Sequence, residues 1–196
     1  MSKHISAVLF DLDGTLVDSG LNFQALRAKL GWPTNVDLLA YLANLACPNE
    51  RAAAEQVIHE FEMAGAASSV WMPGAKALLE LLVERGLATG IVTRNTRAAF
   101  ELCKNRLAIP ALEVISREDA PAKPDPEGLL MLAARFSVSP ANTIYVGDYL
   151  YDLQAAKAAG MRSCLYDPKG SAIFSDQADM TIRHFDELSD LVLAGY

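Results

Sequence analysis

The chain has 196 residues, 52% of them hydrophobic and 21% charged, a balance typical of a folded globular protein with one good core and room for a modest insertion. Its formal charge of −7 argues against nucleic acid or an anionic membrane surface as a partner. Widely spaced cysteines, the lack of an export-like N-terminal segment and the lack of a membrane-spanning apolar run all favour a cytoplasmic protein without disulfides.

An apolar run at residues 7–10 opens the pattern and predicts a buried strand. It ends in two carboxylates, Asp11 and Asp13, followed by Gly14. Alternating strand geometry sends both acids to the same side of the sheet. There they repel each other unless a cation or a shared proton relieves them. The alternative is a strand that runs into a solvated turn, and this stretch alone does not decide between the two.

Three helical patterns follow with no strand between them, at residues 21–30, at residues 36–46 and after Asn49, which we take as an N-cap. The third pattern is expected to stop before Gly65, with a loose return at residues 64–69. Because this region does not alternate with strands, residues 18–72 are predicted to form an all-helical insertion after the first strand.

From Pro73 onward, helices and strands alternate. Strands are predicted at residues 88–93, 112–115, 143–146, 163–166 and 180–182, with helices between them and after Asp186. This alternation predicts an α/β fold with a doubly wound parallel sheet, a Rossmann-like core. We expect residues 1–17 and 73–196 to form that core.

Polar side chains stand at four of the predicted strand ends, where open α/β sheets bind their ligands. Each alone is weak, since a strand-end threonine is most often a cap and a lone lysine is most often solvated. In chain order they are Asp11 with Asp13, Thr93, Lys123 between two prolines, and Asp148 with Asp152.

Taken together and in this order, the motifs resemble those of the haloacid dehalogenase-like superfamily of phosphatases. The stretch Asp11-Leu12-Asp13-Gly14-Thr15 matches the first motif, Thr93 the second, Lys123 the third, and Gly147-Asp148 with Asp152 the fourth. The resemblance covers the alternating core at both ends of the sequence. Within the superfamily, the chain looks like the phosphoglycolate phosphatases. The helical insertion lies where the family has its helical cap, although it is short beside the larger caps.

The resemblance implies a magnesium-dependent phosphatase acting on a small phosphorylated metabolite, phosphoglycolate-like or a sugar phosphate. Asp11 would be the nucleophile that becomes an aspartyl-phosphate, and Asp13 would transfer protons. The Mg²⁺ ligands implied are the Asp11 side chain, the Asp13 main-chain carbonyl and Asp148, with Asp152 a nearby or water-mediated partner. Thr93 and Lys123 would bind the substrate phosphate.

Several alternatives stay open. A sugar-phosphate mutase would use the same aspartyl-phosphate, and a non-catalytic metal- or phosphate-binding module could keep the same fold. Arg94 has two interpretations, a contact to the substrate phosphate or an exposed arginine at a strand end. Arg27 and Arg51, in the insertion, could meet a substrate anion, and solvated helix faces explain them equally well. The oligomeric state is not indicated.

Overall fold

The computed structural model describes residues 5–193, so residues 1–4 and 194–196 of the predicted core lie outside the described residues. The strands, in chain order, are β1 (Ala7–Phe10), β2 (Val17–Asp18), β3 (Val70–Trp71), β4 (Ala88–Val92), β5 (Glu113–Ile115), β6 (Thr143–Gly147), β7 (Arg162–Tyr166) and β8 (Met180–Ile182). The α-helices are α1 (Phe23–Leu30), α2 (Leu38–Ala43), α3 (Pro48–Ser68), α4 (Ala75–Glu84), α5 (Arg97–Leu107), α6 (Glu127–Arg135), α7 (Leu150–Ala158) and α8 (Phe185–Leu193).

The core is a six-stranded parallel sheet in the order β5-β4-β1-β6-β7-β8. Every residue of β1 is buried, and side chains alternate between the two faces of the sheet. Val8 and Phe10 pack in one cluster with α4, α5 and α8, whereas Leu9 packs in the other with α6 and α7. Helices therefore cover both faces, and the predicted doubly wound α/β fold is confirmed.

Helices α1, α2 and α3 fill the region between β2 and β3 and share a small apolar cluster around Leu26, Leu38 and Ile58. The side chain of Asn22 caps α1, and that of Asp37 caps α2 by accepting the amide hydrogen of Ala40. Each cap satisfies an amide that the helix itself leaves unpaired.

Two details of the third helix differ from the prediction. Helix α3 begins at Pro48 with Cys47 as its N-cap, so Asn49 is not the cap. Proline suits the first helical position because its missing N–H is not needed there. The helix also continues past Gly65 to Ser68, so residues 64–69 are not a loose return. A Cβ at Gly65 would lie 2.4 Å from the Leu21 side chain, and this glycine therefore marks close packing rather than a helix end.

The short strands β2 and β3 pair antiparallel where the helical insertion leaves and rejoins the core. Each has two residues, too few for an alternating pattern to be visible in the sequence. Among the residues that the structure describes, no helix combines the length and apolar character needed to cross a membrane.

Candidate active site

The parallel register places the polar strand ends side by side. Phe10, the last residue of β1, pairs with Ile91 of β4 and with Val146 of β6. Asp11 follows directly, and its amide donates to the carbonyl of Val146 at 2.9 Å. The residues that succeed β1, β4 and β6 therefore meet at one edge of the sheet, as the sequence predicts.

Lys123 is the buried centre of this group, with 3% of its surface exposed. Its Nζ donates to Asp11 Oδ1 at 2.5 Å, to Asp152 Oδ1 at 2.7 Å and to the Tyr145 hydroxyl at 2.7 Å. Burial acts to lower the pKa of Lys123, but the Asp11 and Asp152 carboxylates outweigh it and raise the pKa. The ammonium is therefore charged and held by three acceptors, as many as it has hydrogens.

Carboxylate oxygens of Asp11, Asp148 and Asp152 lie within 4.8 Å of one another. Burial, with the neighbouring Asp152, raises the pKa of Asp11 to about 7 even though Lys123 opposes the shift. Burial, followed by the charges of Asp11 and Asp152, raises the pKa of Asp148 well above its ordinary value. Clustered hard oxygen donors with unrelieved repulsion are a donor set that fits a divalent cation such as Mg²⁺.

Asp13 stands apart from this cluster. Its Oδ1 accepts a hydrogen bond from the Ser19 hydroxyl, and its Oδ2 accepts one from Asn95 Nδ2 at 2.5 Å. Burial raises the pKa of Asp13, against the effect of these two hydrogen bonds. Both carboxylate oxygens of Asp13 therefore have protein partners, and its role in proton transfer stays a prediction.

Asp152, like Asp13, has both oxygens engaged by the protein. Oδ1 accepts from Lys123 and, at 3.2 Å, from the Tyr145 hydroxyl, while Oδ2 accepts from the Tyr149 amide at 3.1 Å. These contacts fix the position of the Lys123 ammonium. A direct bond from Asp152 to a metal would have to compete with them.

Thr93 is buried, with 4% of its surface exposed, and its hydroxyl accepts the amide hydrogen of Asn95 at 3.1 Å. Its own amide donates to the carbonyl of Ile115 at 2.9 Å. The Thr93 hydroxyl therefore keeps its own hydrogen for a ligand, whereas its amide is already used within the sheet.

The arginines named by the sequence have different surroundings. Arg94 forms an ion pair with Asp37 at 2.6 Å, and its guanidinium lies 4.8 Å from the centre of the Tyr151 ring. This contact joins the core to the N-cap of α2, a role that the sequence did not suggest. Arg27 lines the cavity described next, and its Nε donates to the carbonyl of Val36 at 2.9 Å. Arg51 donates to the carbonyl of Leu45 and does not line that cavity.

A cavity of about 510 Å³ lies above these groups, between the strand ends and the helical insertion. Its floor includes the candidate site residues, namely Asp11, Asp13, Thr93, Lys123, Asp148 and Asp152. Its other walls come from α1, α2, α3, the loop before α2 and the start of α7. The volume is in the range of small-molecule sites in proteins.

Three residues that contact the candidate site were not anticipated. Asn95 and Ser19 hold Asp13, and Tyr145 holds Lys123. Tyr145 carried a signal, because a hydroxyl in the middle of the apolar run at residues 143–146 requires a buried partner. Nothing in the sequence near Ser19 indicates its contact, which depends on the turn that leads into the insertion.

Comparison with known proteins gives consistent results. Residues 5–160 match the family model described as haloacid dehalogenase-like hydrolase. The chain is 36% identical to the phosphoglycolate phosphatase of Xylella fastidiosa, over 80% of this chain and 77% of that protein. It is 28% identical to the N-acetylmuramic acid 6-phosphate phosphatase of Pseudomonas aeruginosa, over 96% and 95% respectively. A hydrolase of Pseudomonas syringae has a similar fold, with a TM-score of 0.75 at 20% identity, over 98% of this chain and all of that one.

Proposed function

The chain belongs to the haloacid dehalogenase-like hydrolase family, and on that premise we propose that it is a magnesium-dependent phosphatase working through an aspartyl-phosphate on Asp11. The observation that carries the proposal is the contact of Asp11 with the buried Lys123, 2.5 Å apart, beside the Asp148 carboxylate. Relatives named as phosphatases of phosphoglycolate and of a sugar phosphate support small phosphate monoesters as substrates.

In the first step, an Asp11 oxygen attacks phosphorus and the bond from phosphorus to the leaving oxygen breaks. Asp13 gives a proton to that oxygen and then, as a carboxylate, takes one from the water that attacks the aspartyl-phosphate. The second displacement releases inorganic phosphate and restores Asp11. We assign the Thr93 hydroxyl to the phosphate oxygens as a donor. The Lys123 ammonium, whose hydrogens are held by Asp11, Asp152 and Tyr145, would attract the phosphate through its charge.

Asp11, the Asp13 main-chain carbonyl and Asp148 are the groups that would hold Mg²⁺, with Asp152 in the adjacent layer. A bound divalent cation supplies charge neutralisation for the phosphate and for the acids around it. Lys123 contacts both Asp11 and Asp152, and its single positive charge therefore offsets part of their negative charge. The contact of Arg94 with the phosphate stays a prediction, as does the division into a core and a cap at residues 18–72.

The test is a rapid-mixing experiment on Asp13→Ala with para-nitrophenyl phosphate and magnesium. This leaving group departs without protonation, whereas hydrolysis of the aspartyl-phosphate still needs a base. We expect a burst of nitrophenol comparable to the enzyme concentration, followed by a steady rate about 10²–10⁴-fold below that of the unmodified protein. Mass spectrometry of acid-quenched protein should find the phosphate on Asp11.

Asp11→Asn is the matched control, because it keeps the shape of the side chain but cannot attack phosphorus. It should show no burst and lose several orders of magnitude in rate. A linear trace with no labelled protein, from folded and metal-loaded Asp13→Ala, would contradict the proposed mechanism. Transfer of the phosphate to an added sugar phosphate, in place of water, would identify a mutase instead.

A further inference from the structure

Aromatic side chains enter the cavity from both sides. Phe23 and Phe61 come from the helical insertion, with ring centres 5.9 Å apart, and Tyr149 and Tyr151 come from the start of α7, with ring centres 5.2 Å apart. Phe23 is 43% exposed and Tyr149 is 50% exposed. These faces offer apolar contact to a ligand between them.

The size of the cavity bears on the ligand. A volume of 510 Å³ is in the range of sites that hold drug-sized ligands. A phosphate esterified to a two-carbon acid would leave much of this space to water and would leave the exposed rings of Phe23 and Tyr149 uncovered, whereas the Tyr151 ring already has the Arg94 guanidinium over it. An alcohol that contains a ring would fill the space and bury those faces, which is favourable in proportion to the apolar area covered.

The charges of the lining argue against an acidic leaving group. Among the described residues that line the cavity, carboxylates outnumber cationic side chains by six to three. Because Glu62 is paired with Arg117, which is outside the lining, a divalent cation would bring the formal charge to zero and leave no excess of positive charge. Arg94 is already paired with Asp37, and Lys123 with Asp11 and Asp152. Arg27 has its Nε bound to the Val36 carbonyl, a contact that does not neutralise its charge. Two of the three cations of the described lining are thus already paired, so a carboxylate on the leaving group would meet little unpaired positive charge.

We infer that the substrate is a phosphate monoester of an uncharged alcohol that carries an apolar ring, with the ring between Phe23 and Phe61 on one side and Tyr149 and Tyr151 on the other. The inference rests on the proposed phosphatase function, since the phosphate must lie at Asp11. It names a substrate class that differs from the acids in the names of the relatives.

Steady-state rates with magnesium test the class directly. Benzyl phosphate and 4-carboxybenzyl phosphate differ only in a carboxylate remote from the reacting bond, and ethyl phosphate and 2-phosphoglycolate lack the ring. We expect kcat/KM for benzyl phosphate to exceed each of the other three by about tenfold or more. A value for 4-carboxybenzyl phosphate or 2-phosphoglycolate equal to or above that for benzyl phosphate would overturn the inference. Hydrolysis of none of them above the Asp11→Asn background would instead refute the phosphatase function.

Substitution of an aromatic wall residue gives an independent check. Phe23→Ala should lower kcat/KM for benzyl phosphate about two- to tenfold more than that for ethyl phosphate. Leu130→Ala is the control, because Leu130 is also a large apolar side chain, 40% exposed, but lies on α6 away from the cavity. Equal losses for benzyl and ethyl phosphate in Phe23→Ala would contradict a contact with the ring.

The pair of Arg94 and Asp37 provides a third check. Asp37→Asn keeps an oxygen to cap α2 but removes the charge that neutralises Arg94. The ratio of kcat/KM for 4-carboxybenzyl phosphate to that for benzyl phosphate should rise about tenfold, the effect expected of a hydrogen bond to a charged group. Glu113→Gln, which breaks the exposed pair with Arg135 at 2.8 Å, should leave the ratio unchanged. No rise in Asp37→Asn would show that the pairing does not set the charge preference.

Discussion

At Gly14 the backbone has a φ of +82° and passes so close to Asp148 that a Cβ would lie 2.4 Å from Oδ2. The Asp148 carboxylate accepts a hydrogen bond from Thr15 Oγ1 at 3.5 Å and one from its own backbone amide. A methyl group at Gly14 would push the carboxylate away from these contacts. A change at Gly14 should act on the acidic cluster rather than on the fold.

We predict that Gly14→Ala raises the Mg²⁺ concentration needed for half-maximal activity by about tenfold or more, because Asp148 must move to accommodate the methyl group. The measurement is the half-saturating Mg²⁺ concentration for hydrolysis of para-nitrophenyl phosphate, with the melting temperature recorded in parallel. The backbone strain of alanine at positive φ costs about 1 kcal/mol of stability on its own.

Gly160→Ala separates the two effects. Gly160 has a φ of +72°, and a Cβ there would meet nothing within 4 Å. The Gly160→Ala variant should lose the same small amount of stability and keep the half-saturating Mg²⁺ concentration of the unmodified protein. If Gly14→Ala and Gly160→Ala behave alike, the close approach to Asp148 has no part in metal binding.

Among the elements, α3 is attached to the core by a buried charge pair. Glu62, 5% exposed, pairs with Arg117 and accepts from the amide and hydroxyl of Thr96 at 3.4 Å. Burial raises the pKa of Glu62 although Arg117 and the Thr96 amide act to lower it. Because the folded-state pKa is above the ordinary value, the folded state binds this proton more readily than the unfolded state, and the contribution of Glu62 to stability falls as pH rises.

Replacing Arg117 with Leu should therefore destabilise the protein in a pH-dependent way. We expect a loss of about 3–5 kcal/mol in the free energy of unfolding at pH 8, since an ionised carboxylate is left buried without its partner. The loss should shrink at pH 5, where Glu62 can take up a proton. Urea unfolding at both pH values measures the difference.

The double variant Glu62→Leu with Arg117→Leu is the control for this prediction. Removing both charges should recover most of the lost stability, because no unpaired ion remains. An equal loss for Arg117→Leu at both pH values, or a double variant as unstable as the single one, would show that the charge of Glu62 is not the cause.

How far sequence reasoning reached differs between elements. The strands of the core were predictable because buried parallel strands are continuous apolar runs bounded by Gly, Pro or polar residues. The position of Lys123 among Asp11, Asp152 and Tyr145 could not be predicted from such runs, since it depends on contacts between residues far apart in the chain. The extent of α3 was misjudged at Gly65 because a glycine that stops a helix and one that permits close packing look alike in sequence.

For the whole molecule, the buried acidic cluster predicts a dependence of both activity and stability on a divalent cation. Chelation should abolish hydrolysis and Mg²⁺ should restore it. Since a ligand that binds only the folded state stabilises it, Mg²⁺ at about 100 times its Kd should add roughly 2.7 kcal/mol to the free energy of unfolding. Activity assays and thermal unfolding with and without Mg²⁺ measure the two effects.

Asp148→Asn should lose most of the stabilisation by Mg²⁺, because one carboxylate of the cluster becomes neutral. Lys76→Ala, on the exposed face of α4, serves as a surface control that should respond to Mg²⁺ like the unmodified protein. Undiminished turnover in excess chelator, with removal of the metal confirmed by elemental analysis, would contradict the metal site.

The 21 residues of α3 make a rod about 31 Å long at 1.5 Å per residue. Its C-terminal end is clamped, by Glu62 against Arg117 and by the Ser69 carbonyl, which accepts from Arg106 Nε at 2.8 Å. The apolar cluster that supports α1 and α2 packs against the middle of the rod, around Ile58, one turn before Glu62. Because Ile58 lies only about 6 Å along the axis from Glu62, a tilt of about 5° at the clamp would move the cluster by roughly 0.5 Å. A tilt of α3 about the clamp would therefore leave the position of α1 and α2 above Asp11 almost unchanged.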